Sequence, residues 1–372
     1  MNCTFIGLGN LGKELCGRIG LAGFPTFAYD LNPDASKNAA EQFKNVIQSD
    51  LMDAVKQSEV ILSCLPNSYL VREVVNNLVS EKGSLQNIKF WIDTTSGHPG
   101  ESQKIAEILK LENVEFYDCA VSGGPAGASK GTLTAMLGGE GSFLDQVKNI
   151  LSSFAKNIVH LGPCGAGHAV KAVNNSLLAA NICTVSESMV VLKKYGLNIE
   201  DALKAISTSS GRSWVTQQRF PEHVLNRKFD YGFSLGLLFK DIDTCMAMFQ
   251  DNDTPSPVLR TTREMVQLAK NKFGDEVHPD IQDIWEFSRI MTARISWSPY
   301  MFNRRLPHLL NIITVPTLII FGNSDTVIPY TVGQQFINNL SNGQLEVIDG
   351  GGHLIEWEMP DKISELIVGH SS

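Results

Sequence analysis

Lys171 sits in the run Ala169-Val170-Lys171-Ala172-Val173, with Asn175 one helical turn further on and on the same face. A lysine in small apolar company either snorkels to solvent or is held at a site as a proton donor. In the second case burial draws its pKa toward neutrality, so one group can donate to an alkoxide or accept from an alcohol. His168, one turn earlier, competes as a base; the alternative is a structural histidine with satisfied nitrogens. A second set of residues suits a phosphate. Gly7-Leu8-Gly9-Asn10-Leu11-Gly12 follows the apolar run Cys3-Thr4-Phe5-Ile6, and Asp30 closes a later run, Thr26-Phe27-Ala28-Tyr29. Gly7 permits a tight turn, Gly9 lets the backbone approach a pyrophosphate, and Gly12 lets a helix pack on its strand. A helix-like stretch follows from Lys13 to Leu21, and its N-terminal end supplies N–H groups to the anion, with Asn10 and Leu11 in the turn before it. An acid about 20 residues past the glycines accepts hydrogen bonds from an adenosine ribose and repels a 2′-phosphate. No arginine follows Asp30 directly, so NAD is expected over NADP.

Ser122-Gly123-Gly124 offers a hydroxyl and approachable N–H groups for a small carboxylate, or is simply a flexible glycine loop. Gly127-Ala128-Ser129-Lys130-Gly131 fits the GxSxG pattern of a hydrolase elbow. An elbow needs an apolar strand directly before it, and Gly123-Gly124-Pro125 stands there instead, which rejects Ser129 as a nucleophile. The eight histidines include no HExxH or paired ligand spacing, so no metal is expected.

The elements that must position these residues alternate at first. Strand signals recur at Val60 to Leu65-Pro66, Phe90 to Ser96, Val114 to Asp118 and Thr132 to Leu137. Ligands of open α/β sheets bind at strand C-termini, which puts Pro66 to Ser68 and Thr95 to Ser96 on a cofactor cleft, with Leu65 beside them as a further cofactor contact. From Gly165-Ala166-Gly167 a helix-forming run continues to Lys194, with Gly196 as its stop. A helix from about Ala169 to Tyr195 would be ~40 Å long. The residues after Gly196 favour helices over strands, so this long helix joins two domains. The length of 372 residues calls for at least two domains, and 43% hydrophobic with 19% charged residues describes a globular chain. A net charge of −8 gives no general attraction to nucleic acid or anionic membrane. Seven cysteines without CxxC spacing suit a reducing compartment. No apolar run of the ~18–20 residues that span a bilayer stands out, and the first strand leaves no room for a leader. A cytoplasmic enzyme is expected.

Taken in order over almost 300 residues, these motifs resemble the β-hydroxyacid dehydrogenase family, most closely its 3-hydroxyisobutyrate dehydrogenase branch. Ser209-Ser210-Gly211-Arg212-Ser213-Trp214 and Phe233-Ser234-Leu235-Gly236 leading to Lys240-Asp241 belong to the same pattern. The resemblance implies an NAD-binding Rossmann domain (1–163) and an all-helical domain (164–292) that closes the substrate cleft and supports a homodimer or homotetramer. It further implies NAD-dependent oxidation of a small 3-hydroxyacid to its semialdehyde, or the reverse. Lys171 is then the proton donor and acceptor, Asn175 with Ser122, Gly123 and Gly124 holds the substrate, Ser96 lies near the nicotinamide ribose, and Lys240 closes over the nicotinamide. Two places depart from the pattern. Asn10 stands where methionine is common, and Gly97-His98-Pro99 follows Ser96 where the family more often has an aliphatic residue and an acid. The alternative, from another class, is a non-catalytic NAD-binding scaffold whose tail binds a partner.

The pattern ends near Met291. Beyond it, Val315 to Pro329 reads as a buried parallel strand delivering Asp325, and Leu345 to Ile348 as a second strand followed by Gly350-Gly351-Gly352-His353. Residues 293–372 resemble the C-terminal βαβα part of an α/β-hydrolase, with Asp325 and His353 in the acid and base positions. No strand–GxSxG–helix unit accompanies them, so hydrolysis is not expected. A two-strand fragment cannot cover both its faces or pair both its edges.

Overall fold

The computed structural model describes residues 1–227, 229, 231–275, 310, 313–325, 328–352 and 355–370. The chain forms two compact units, Met1–Met291 and Thr292–Ser372. The proposed boundary at 292/293 and His353 lie outside the described residues.

The first unit opens with alternating elements: β1 (Cys3–Ile6), α1 (Asn10–Leu21), β2 (Thr26–Tyr29), α2 (Pro33–Gln42), β3 (Val46–Gln48), α3 (Leu51–Lys56), β4 (Val60–Ser63) and α4 (Ser68–Ser80). Next come β5 (Phe90–Asp93), α5 (Pro99–Leu111), β6 (Glu115–Ser122), α6 (Gly124–Lys130), β7 (Leu133–Gly138), α7 (Leu144–Leu151) and β8 (Ala155–His160). The strands form one sheet in the order β3-β2-β1-β4-β5-β6-β7-β8. All pairs are parallel except β6 with β7. Strands β1, β4 and β5 are wholly buried, because helices cover both faces of a parallel sheet. Successive residues therefore feed opposite cores: Leu62 and Ile92 pack with Leu15, Ile19 and Phe154 on one face, Ile61 and Trp91 with Val75, Leu78 and Ile105 on the other. The chain reverses direction across the sheet between β1 and β4, which opens a crevice at their C-terminal ends.

Helices make up the rest of this unit: α8 (Ala166–Lys194), α9 (Ile199–Ser207), a π-helix (Val215–Val224), α10 (Leu235–Asp251) and α11 (Pro257–Phe273). The π-helix contains Pro221, which cannot donate an N–H to the regular ladder. With 29 residues, α8 is about 43 Å long. It begins three residues before the expected start, because the backbone turns at Gly165 (φ 96°) and the Asp118 carboxylate accepts the N–H groups of Gly165 (2.6 Å) and His168 (2.8 Å). The expectation that no apolar stretch is of membrane length needs correction: α8 is long and apolar enough to cross one by length and composition. It packs against β6, β7, α10 and α11, so part of its apolar content serves the interior of this unit. Two further differences concern strands. β6 runs on to Ser122, so that residue ends a strand, and the exposed β8 carries no clear strand signal because its residues scarcely enter a core. Ser129 lies inside α6 and its hydroxyl donates to the Ala126 carbonyl, in keeping with its rejection as a nucleophile.

In the second unit, β9 (Thr317–Gly322) and β10 (Gly343–Ile348) pair in parallel through α12 (Thr331–Ile337), and α13 (Ile355–Glu358) and α14 (Pro360–His370) complete it. Most of the strand residues are only half-buried. Asp325 lies just past β9, where its carboxylate accepts the Ile328 N–H at 2.8 Å.

Candidate active site

The phosphate end of the crevice is built by glycines. Gly7 turns at φ 94°, a Cβ there would strike the Cys64 carbonyl, and a Cβ on Gly12 would strike the carbonyl of Gly7. A side chain on Gly12 would force α1 away from the end of β1, and one on Gly7 would displace the loop after β4. A Cβ on Gly9, by contrast, meets nothing within 4 Å, because Gly9 faces open space. Helix α1 has no side-chain cap and no acid in its first turn, which leaves the first N–H groups at Asn10 and Leu11 to an anion. Asp30, just past β2, accepts from Leu8 N at 2.6 Å and from Asn32 N at 2.8 Å. It thus braces the glycine turn, and each oxygen keeps a lone pair. These features fit a dinucleotide.

At the other end Lys240, on α10, reaches across to the sheet. Its ammonium donates to the carbonyls of Ser96 (2.5 Å) and Pro66 (3.2 Å) and lies 3.3 Å from Asp241 Oδ1. Three donors meet three acceptors, and the loops after β4 and β5 are tied to α10. Those two loops are also tied to each other, since the Leu65 N–H donates to the Thr95 hydroxyl at 3.0 Å. Asn175 is 3% exposed. Its amide donates to Asp241 Oδ2 at 2.6 Å and its carbonyl accepts from Asn174 at 3.1 Å, leaving one N–H uncommitted.

Lys171 is half-buried and makes no hydrogen bond or ion pair among the described residues. Burial holds its pKa below the ordinary lysine value; Asp241 pulls it back up, and Lys240 pushes it further down. The amine therefore feels both a cation and a carboxylate without being bonded to either. Ser122 is half-buried at the end of β6, and Gly123 (φ 127°) and Gly124 (φ 63°) turn the chain into α6. Among the described residues no hydrogen bond joins this turn to Lys171 or Asn175. Among the described residues, too, no cluster of three His, Cys, Asp or Glu side chains could hold a metal ion.

Two residues of the site are not evident from the sequence. Asp118 anchors the start of α8, and Asp241 holds Asn175 and faces Lys171. The sequence shows Asp241 only as part of the Lys240-Asp241 pattern and Asp118 only as the end of a strand signal, without a role for either; the partners of Asp118 lie 47 and 50 residues away, and Asn175 is 66 residues from Asp241.

Comparison with known proteins agrees with this geometry. The family described as the NAD binding domain of 6-phosphogluconate dehydrogenase matches residues 2–162. The family described as NAD-binding of NADP-dependent 3-hydroxyisobutyrate dehydrogenase matches residues 165–284. The 2-(hydroxymethyl)glutarate dehydrogenase of Eubacterium barkeri is 29% identical over 283 residues, covering 76% of this chain and 94% of its own. A probable mitochondrial 3-hydroxyisobutyrate dehydrogenase of Dictyostelium discoideum is 30% identical over 247 residues, 64% of this chain and 76% of that protein. The solved structure of Mycobacterium tuberculosis 3-hydroxyisobutyrate dehydrogenase with L-serine superposes with a TM-score of 0.69 at 25% identity, covering 78% of this chain and 98% of the other. With its NAD-binding domain, its long helix and the helical domain beyond it, the chain belongs to the β-hydroxyacid dehydrogenase family, on its 3-hydroxyisobutyrate dehydrogenase-like side.

Proposed function

We propose that the chain oxidises a small 3-hydroxyacid to its semialdehyde with NAD, or runs the reduction in reverse, using Lys171 as proton donor and acceptor. One observation carries this reading: an unbonded amine, held below its ordinary pKa, sits beside the Lys240 that grips Ser96. When bound, NAD supplies the hydride acceptor. Gly7, Gly9, Asn10, Leu11 and Gly12 would hold its pyrophosphate, Asp30 its adenosine ribose, and Leu65, Pro66, Ser96 and Lys240 its nicotinamide end. Asp30 would also disfavour a 2′-phosphate by like charge. The Ser122 hydroxyl, the N–H groups of Gly123 and Gly124 and the free N–H of Asn175 receive the substrate carboxylate and hydroxyl. Neutral Lys171 takes the hydroxyl proton as the carbinol carbon is oxidised, and its ammonium returns that proton to the oxygen in reduction.

The named ligands of the relatives share one chemistry. 2-(Hydroxymethyl)glutarate, 3-hydroxyisobutyrate and L-serine each carry a hydroxymethyl group one carbon from a carboxylate. All seven cysteines are unpaired, which supports a reducing, cytoplasmic setting. Val170, Val173 and Leu177 are exposed by 40%, 39% and 60% along one face of α8, which supports self-association there. NADH formation with a panel of 3-hydroxyacids tests the activity; NAD binding without turnover of any member would reject it.

A further inference from the structure

The end of β5 holds a polar pair that the reaction proposed above does not use. Asp93 and His168 are both fully buried, and Asp93 Oδ2 faces His168 Nε2 at 3.9 Å. That separation is beyond hydrogen-bond distance, and neither atom has a hydrogen-bond partner. The remaining atoms of both side chains are fixed. Asp93 Oδ1 accepts from the Ser63 hydroxyl (2.8 Å) and from Thr95 N (3.1 Å), and that hydroxyl accepts from the Trp91 indole (2.8 Å). His168 Nδ1 lies 2.7 Å from the Ser102 hydroxyl of α5. The tautomer with its proton on Nε2 suits a nearby carboxylate oxygen and leaves Nδ1 to accept from Ser102.

The same ring fills the space beneath the loop that carries Ser96. A Cβ on Gly97 would stand 2.6 Å from both Cε1 and Nδ1 of His168, so only glycine fits there. His168 also precedes Lys171 by three residues on α8, which places both on one side of the helix. A single imidazole thereby links β5 through Asp93, α5 through Ser102, and the Ser96–Gly97 loop through contact, to the first turn of the helix bearing the amine.

We propose that His168, buried against Asp93 and hydrogen-bonded to Ser102, is a positioning residue that sets the spacing between the Ser96 loop and the Lys171 amine. This rests on the reading that places the nicotinamide at Ser96 and the proton transfer at Lys171. The imidazole does not itself exchange a proton with substrate; it is sealed from the cleft and acts through the two elements it joins.

His168→Leu keeps the bulk and removes both nitrogens. It should fold and bind NAD within about threefold of wild type, while kcat falls about 30-fold, the scale set by a misplacement of under about 1 Å between reacting groups. KM should change by less than about threefold, and a primary deuterium isotope effect on kcat should grow as hydride transfer becomes slower. His168→Gln, whose amide can donate to Asp93 and accept from Ser102, should recover most of kcat. Should His168→Leu not fold, Ser102→Ala leaves the ring in place, unhooks Nδ1, and should lower kcat in the same KM-independent way. A readout that needs no turnover is labelling of Lys171 by pyridoxal 5′-phosphate and borohydride, mapped by mass spectrometry. NAD should change that labelling rate in wild type and leave it unchanged in His168→Leu. Wild-type kcat together with wild-type NAD-dependence of labelling in His168→Leu overturns the proposal. So does a loss shared equally by kcat, KM and thermal midpoint in which Gln is no better than Leu. A wild type that forms no NADH from any hydroxyacid sinks the dehydrogenase reading instead, and the labelling comparison then decides on His168 alone.

Discussion

Lys171→Met keeps the apolar stem and removes the proton. It should fold and bind NAD while kcat falls by ~10²–10⁴-fold, the usual share of general acid–base help. Retention of more than about a tenth of wild-type turnover would make Lys171 a structural residue. In its proposed role the same group should set a pH profile whose sign follows. Oxidation needs the neutral amine, so its kcat should rise with pH through a midpoint below the ordinary lysine value of 10.5, and reduction should fall through that midpoint. A profile whose only transition lies at or above the ordinary value removes Lys171 from the chemistry. At the opposite end of the crevice, Asp30 should make NAD the better cofactor by about 10²-fold in kcat/KM, through lost ribose hydrogen bonds and like charge at the 2′-phosphate. Comparable kcat/KM with NADP would reject that role. Asp30→Asn should narrow the preference and also loosen the turn at Leu8, whose N–H it holds. The residues legible in the sequence were those whose spacing is local: three glycines, the acid after β2, and a lysine with an asparagine one turn on. Asp118, Asp241 and Asp93 were not legible as parts of the site, because each takes its meaning from partners tens of residues away.

Among the elements, α1 begins at Asn10, three residues before the expected Lys13, whereas β1 and β2 are set by the sequence residue for residue, since burial on both sides leaves little choice of boundary. The start of α8 is not, because its cap comes from Asp118 rather than from a neighbouring serine or asparagine. The π-helix had no periodicity to announce it. Helix α8 also carries the apolar stripe of Val170, Val173 and Leu177. Leu177→Glu should shift the enzyme to a smaller species in size-exclusion or analytical centrifugation at matched concentration, because a buried unpaired carboxylate is costly in an interface. An unchanged size would remove this face from the assembly.

At the scale of the whole molecule, every residue assigned to cofactor or substrate lies between Gly7 and Asp241, within the first compact unit. A chain ending near Met291 should therefore keep the NADH-forming rate per active site, whatever happens to its solubility. A collapse of kcat in a folded, NAD-binding truncation would show that residues beyond 291 complete the site. The second unit reads from its sequence as buried parallel strands in a βαβα order; the strands do pair in parallel around α12, but β9 spans only Thr317–Gly322 and is half-buried. Its half-buried strands are too few to enclose a core of their own.

The Asp118 carboxylate that closes the N-terminus of α8 has a consequence for motion. It is fully buried and holds two amides on the far side of the join between sheet and helix. A hinge at residues 162–168 would have to break both bonds and expose the charge, so the join behaves as a weld and cleft opening must be confined to later segments. Hydrogen exchange offers a direct gauge. The amides of Gly165 and His168 should exchange only with global unfolding, on the schedule of the β4 and β5 amides, while α10 and the π-helix exchange through smaller openings.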